Sequence, residues 1–131
     1  MKYLVDSDWL IDVQAGIRSA RDTIDRLSPD GIATSIITVG ELYDGAIGSA
    51  DPEGNLTGLR HSLQGFLILP LDDAIMEVFA PTRVPLRRQG LLVPDLDLLI
   101  AATALSYNLT PLSRNLRHFR RIPGLGLYEP I

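Results

Sequence analysis

The sequence predicts one α/β domain, a three-layer α/β/α sandwich around a central, mostly parallel sheet of four to five strands. Three observations carry that prediction. Short runs rich in aliphatic and β-branched residues alternate with longer stretches whose apolar residues recur at helical spacing. The short runs are apolar throughout rather than alternating, as strands are when helices cover both faces of a sheet. The chain, residues 1–131, is 46% hydrophobic and 21% charged, with no repeat, linker or low-complexity tract, so it can bury one core and needs no second domain.

The elements follow in order. Lys2–Val5 predicts the first strand. Trp9–Ala15 and Ser19–Leu27 carry helical periodicity, and Ser28-Pro29-Asp30-Gly31 is a turn. Ile32–Ile37 predicts the second strand, and Thr38 to about Ser49 a helix. Asp51-Pro52-Glu53 starts another, with Asp as the cap and Pro in the first turn, running to about Gln64. Phe66–Leu69 predicts the third strand. Asp72-Asp73 opens a further helix, but Pro81 and Pro85 stand in its path. An interior proline costs a helix about 3 kcal/mol or more, which predicts a break near Ala80. Leu98–Tyr107 is helical, Leu109–Leu112 predicts the fourth strand with Pro111 inside it, and Leu125–Tyr128 a fifth.

Composition narrows the function classes. No run reaches the roughly 18 apolar residues of a membrane helix, which predicts no membrane association. Asp6 and Asp8 break the first apolar run too early for a secretory signal. Without cysteine there is neither a disulfide framework nor a thiolate metal site, which fits the cytoplasm. A net charge of −4 argues against broad nonspecific binding of nucleic acid and directs attention to how charge is distributed.

In parallel α/β sheets, ligands gather at the carboxyl ends of the strands. Asp6 ends the first strand, Glu41 follows the second, Asp97 opens the helix before the fourth, and Asn115 follows the fourth. Three acids in one cleft repel each other unless a cation lies between them. An oxygen-only donor set points to Mg²⁺, with Mn²⁺ as the alternative, and such an ion suits phosphodiester hydrolysis. Each acid also has a plainer reading. Thr38-Val39-Gly40-Glu41 fits a capping box, and Asp6 or Asp8, Asp95 or Asp97, and Asn115 suit helix N-caps. Capping and metal binding are compatible in one carboxylate.

Five segments occur in a fixed order: Leu4-Val5-Asp6-Ser7-Asp8, Ser35-Ile36-Ile37-Thr38-Val39-Gly40-Glu41-Leu42, Asp97-Leu98-Leu99-Ile100-Ala101-Ala102-Thr103-Ala104, Ser113-Arg114-Asn115-Leu116-Arg117-His118-Phe119, and Ile122-Pro123-Gly124-Leu125. The series resembles the PIN-domain ribonucleases, specifically the VapC-like toxins of bacterial type II toxin–antitoxin modules, over nearly the whole chain. The resemblance implies a PIN-like fold and a metal-dependent endoribonuclease acting as a toxin. It implies Asp6, Glu41 and Asp97 as catalytic metal ligands, with Asn115 where the family has a fourth acid. Asp8 and Thr38 would orient ligands or waters, and Asp95 is the alternative to Asp97. It also implies a homodimer and a small antitoxin protein that enters and blocks the cleft. Two departures stand out. Ser113 replaces a more usual Thr, and Pro111 removes a ladder donor from what should be an interior strand.

Arg114, Arg117, Arg120 and Arg121 crowd one stretch with no acid between them, beside Asn115. Arginine's planar fork suits phosphate, so Arg114 and Arg117 are predicted to bind RNA. Arg83, Arg87 and Arg88 read as a solvated helix face. His61 and His118 are too far apart to read as a pair, and a lone histidine reads as structural. Trp9 and Phe79 read as packing residues. Two rivals remain. Tyr3-Leu4-Val5-Asp6-Ser7-Asp8-Trp9-Leu10 resembles the first motif of haloacid-dehalogenase-type phosphatases, but that chemistry needs a later lysine and Lys2 is the only one. A catalytically weakened scaffold acting through partner binding has some footing in Asn115 and Pro111, against the retained Glu41 and Asp97.

Overall fold

The computed structural model describes residues 1–128. Four strands form one sheet: β1 (Tyr3–Val5), β2 (Ile32–Ser35), β3 (Leu67–Leu69) and β4 (Thr110–Leu112). Their order is β3-β2-β1-β4 and every pairing is parallel, with Tyr3 opposite Ile32, Leu4 opposite Pro111 and Ala33 opposite Leu67. Among the described residues seven α-helices connect and cover them: α1 (Ser7–Gln14), α2 (Arg18–Leu27), α3 (Ile36–Ile47), α4 (Pro52–Leu63), α5 (Asp73–Arg88), α6 (Asp95–Tyr107) and α7 (Leu116–Phe119).

The three layers follow from side-chain alternation along the strands. Tyr3, Val5, Ile32 and Leu112 point to one side and pack with Trp9, Leu10, Ile24, Leu42, Leu59 and Leu63 from α1–α4. Leu4 and Ala33 point to the other, where they meet Leu86, Leu98, Ile100 and Phe119 from α5–α7. Trp9 thus lies in one core, and Phe79 packs against the other. Among the described residues no helix is long and apolar enough to cross a membrane.

Several expected boundaries move, each for a local reason. β2 stops at Ser35 rather than Ile37, because the Ser35 hydroxyl accepts the Ile37 N–H at 3.0 Å and starts α3 there. Thr38 is therefore inside the helix, and Thr38–Glu41 is not a capping box. The predicted break near Ala80 does not occur: α5 runs unbroken through Pro81 and Pro85. The two prolines are four residues apart on its exposed side, while the opposite side packs along α6.

Pro111 fits because β4 is an edge strand. The Thr110 N–H donates to the Lys2 carbonyl and the Asp6 N–H donates to the Leu112 carbonyl, both at 2.8 Å, so the Pro111 nitrogen faces away from β1. Residues 125–128 form no strand. The segment instead covers the outer side of β4: the Tyr128 N–H donates to the Pro111 carbonyl at 3.2 Å, and its ring meets Tyr3 edge-on.

Candidate functional site

The carboxyl ends of β1, β2 and β4 meet the first turns of α1, α3 and α6. Asp6 follows β1 directly and is the N-cap of α1, with Oδ1 accepting the Ser7 N–H at 2.8 Å. Its Oδ2 accepts the Ser113 hydroxyl, also buried, at 2.7 Å. Beneath it, the buried Thr34 hydroxyl donates to the Val5 carbonyl and ties β2 to the end of β1. Burial pushes the Asp6 carboxyl up to about 6. The bonds from Ser113 and Ser7 oppose that rise, and the charges of Asp8 and Asp97 add to it.

Glu41 lies on the second turn of α3. Burial pushes its carboxyl up to about 7, and Asp6, Asp97 and Asp8 add to the rise. The four acids are therefore near enough to feel one another's charge. Glu41 Oε1 is buried without a hydrogen-bond partner, and so is Thr38 Oγ1 one turn earlier. Ile11, Ile36, Ile37 and Leu96 border Glu41 in an open depression of about 670 Å³.

Asp97 lies in the first turn of α6, whose N-cap is Pro94 and lacks a side-chain cap bond, so neither Asp95 nor Asp97 caps it. Asp97 Oδ2 accepts the Asn115 Nδ2–H at 3.1 Å and lies 2.6 Å from His118 Nδ1. Asn115 precedes α7 but makes no side-chain cap bond. Asp8 is also raised by burial; its Oδ1 accepts the Trp9 N–H and its Oδ2 the Arg114 N–H, both at 2.8 Å.

Asp95 is not brought into the cluster. Its exposed carboxylate pairs with Arg83 Nε at 3.1 Å. Arg114 pairs with Asp12, and its guanidinium lies 4.7 Å from the Trp9 ring centroid. Arg117 is exposed on α7. His118 and Ser113 are the contributors that sequence reasoning passed over as site residues. The available signal was the Asn115–His118 spacing of three, which puts both side chains on one face of a helical turn.

The donor set fits a hard divalent cation. Asp6, Glu41 and Asp97 supply oxygen only, and the donorless Glu41 Oε1 is a buried acceptor awaiting a positive partner. Among the described residues no three His, Asp or Glu side chains already stand close enough to enclose an ion. Mg²⁺ keeps several waters and takes one or two carboxylates directly, so an open arrangement suits it better than a closed cage. The phosphatase rival fails on position: Lys2 stands before β1 and Asp6 after it, at the opposite end of the strand.

The PIN domain family profile matches residues 3–125. The chain is 33% identical over 127 residues to ribonuclease VapC2 of Haemophilus influenzae, covering 95% of each. It is 34% identical over 103 residues to the tRNA(fMet)-specific endonuclease VapC of Salmonella typhimurium, covering 79% of this chain and 78% of that one. VapBC2 from Rickettsia felis, solved with a DNA fragment from its promoter, contains a chain that superposes with a TM-score of 0.92 at 28% identity, covering 98% of both.

Proposed function

The chain belongs to the PIN domain family, and from that premise we propose that it is a Mg²⁺- or Mn²⁺-dependent endoribonuclease, the toxin of a toxin–antitoxin pair. The observation that carries the reading is the mutual charge of Asp6, Glu41 and Asp97 at one edge of the sheet, with a buried Glu41 oxygen that has no donor among the described residues. Relatives reported above are named VapC ribonuclease or endonuclease, and a structural neighbour comes from a VapBC complex.

The reaction is hydrolysis of an RNA phosphodiester by water. Asp6, Glu41 and Asp97 would hold the cation, directly or through its waters, and it would supply a Lewis acid for the phosphoryl oxygen and lower the pKa of water. Ser7 and Ser113 keep Asp6 ionisable and fixed, while Asn115 and His118 hold Asp97. Asp8 secures the backbone at Arg114, the entry to the Asn115 turn. Arg117, exposed on that turn, supplies charge to the incoming RNA backbone, and Arg114 lines the same approach. A local basic rim of this kind lets a chain of net charge −4 bind RNA.

The partner is a small antitoxin. A groove of about 680 Å³ runs from Glu41 between α1, α3 and α4, past Ile11, Leu42, Gly45 and Leu59, and a peptide lying in it would reach the acids. The same reading includes a homodimer working in the cytoplasm, where the RNA is. The scaffold alternative gains nothing from the site, since a decayed centre has no reason to keep Glu41 and Asp97 facing Asp6.

The test is RNA cleavage with Mg²⁺ or Mn²⁺ by the parent chain and by Asp6→Ala. Cleavage only by the parent is expected, and equal cleavage by both overturns the assignment. Sequencing of RNA 5′ ends after brief induction then identifies the target.

A further inference from the structure

We propose that His118 is a positioning residue of the nuclease site, holding Asp97 through Nδ1 so that the other carboxylate oxygen faces the cleft; the inference rests on the functional reading above. Among the described residues both hydrogen bonds to the Asp97 side chain fall on Oδ2: Asn115 Nδ2 donates at 3.1 Å, and because a carboxylate oxygen only accepts, His118 Nδ1 carries the proton in its 2.6 Å contact. A carboxylate's last torsion is soft. Left alone beside the charges of Asp6 and Glu41, Asp97 would turn away from them. Two donors on one oxygen set the plane of the group and select Oδ1 as the outward ligand.

The bracket that carries these donors is built for stiffness. Asn115 and His118 are three apart, on one face of the turn that opens α7. Phe119, the next residue, is fully buried, and Ile122 is 3% exposed, so the core fixes the turn from behind. The imidazole is short and planar, and only about a sixth of the side chain is exposed, at 17%. A partner that fixes a metal-binding side chain commonly matters about ten- to hundredfold in metal affinity or activity.

The experiment compares His118→Leu, His118→Asn and His118→Gln with the parent. The Asn amide nitrogen can occupy the place of Nδ1, whereas the longer Gln reaches toward the place of Nε2. Readouts are Mn²⁺ affinity by isothermal titration calorimetry, the rise in Tm that Mn²⁺ induces, and kcat and KM for RNA. We expect His118→Leu to weaken Mn²⁺ binding and lower kcat by about ten- to hundredfold, with KM nearly unchanged. His118→Asn should recover most of both, and His118→Gln little. A His118→Leu variant that binds Mn²⁺ and turns over like the parent overturns the inference while leaving the functional reading intact. Equal losses in Asn, Gln and Leu also overturn it, since a purely structural contact would not single out Nδ1. Should His118→Leu fail to fold, the Asn–Gln difference decides alone. A parent that neither binds Mn²⁺ nor cleaves RNA overturns the functional reading and this inference with it.

Discussion

The Ser113 hydroxyl donates to Asp6 Oδ2 at 2.7 Å and accepts the Asn115 N–H at 3.0 Å, so one small side chain joins the end of β1 to the turn after β4. A hydrogen bond to a charged, buried group contributes about 1.5–3 kcal/mol. Ser113→Ala should therefore lower stability by about that amount at pH 8, where Asp6 is ionised, and weaken Mn²⁺ binding. Ser113→Thr keeps the hydroxyl and should match the parent in both urea melts and metal titration. An alanine variant indistinguishable from the parent would show that the bond does not hold Asp6.

Glu41 differs from Asp6 in having no donor at all on its buried oxygen. Among the described residues it caps no helix and closes no ion pair. Glu41→Gln should abolish most RNA cleavage, about a hundredfold or more, because several kcal/mol of metal-borne stabilisation is lost. Stability at neutral pH should hold or rise, since a charge facing Asp6, Asp97 and Asp8 disappears. A glutamine variant that melts well below the parent would assign Glu41 a structural role instead.

The raised carboxyls set a sign for pH dependence. Folding lifts Asp6 from 3.8 to about 6 and Glu41 from 4.5 to about 7, chiefly by burial. Between about pH 4 and 7 the folded state holds more protons than the unfolded one, so metal-free stability must fall as pH rises through that window. For Asp6 alone the loss is about 3 kcal/mol. Protons and cation compete for the same oxygens, so the Mg²⁺ concentration for half-maximal cleavage should fall from pH 6 to pH 8. Melts across that range without metal, and again with Mg²⁺, check both signs. A metal-free protein that gains stability on going from pH 5 to pH 8 would contradict the desolvated cleft.

The layers were legible because they depend on short-range pattern, and the nearness of the acids because each follows or precedes a strand of one parallel sheet. Apolar strands announce a covered parallel sheet, and the strand-end rule brings Asp6, Glu41 and Asp97 to one edge. What stayed hidden depends on strand order or on distant partners. Pro111 looks misplaced until β4 is known to be the edge strand. Ser35 and Thr38 are both cap-forming residues three apart, and only the position of the first helical N–H decides between them. His118 has no histidine near it in sequence to advertise it, since its partner is a carboxylate. Arg114 reads as a free cation, yet Asp12 and Trp9, about a hundred residues away in sequence, hold its charge and its plane.

That last contact separates two arginines the sequence groups together. Arg117 is exposed on α7, so Arg117→Ala should weaken RNA binding at low salt with an unchanged Tm. Arg114→Ala should also lower Tm, because it removes an ion pair and a cation–π contact, together about 1–2 kcal/mol. Filter binding at two salt concentrations and thermal melts resolve the two effects. Equal RNA affinity in the parent and Arg117→Ala at low salt would remove the basic rim from the proposed function.

α5 provides a last test, of packing against local preference. Pro81 cannot donate to the Glu77 carbonyl and Pro85 cannot donate to the Pro81 carbonyl, yet the helix spans Asp73–Arg88. Ile75 and Leu86 are buried, Phe79 packs against the second core, and α5 lies along α6. Burial of side chains of that size contributes about 1.5–3 kcal/mol each, enough together to offset an interior-proline cost of about 3 kcal/mol apiece. If packing overrides the prolines in this way, Pro81→Ala restores a hydrogen bond and should raise stability by about 1–2 kcal/mol, less than the full proline cost because the unfolded chain also gains freedom. Leu86→Ala should lower it by about 2–5 kcal/mol. Urea denaturation of the two variants measures both. A Pro81→Ala protein less stable than the parent would mean that the helix is bent around its prolines to fit α6, and that the bend itself is what the core requires.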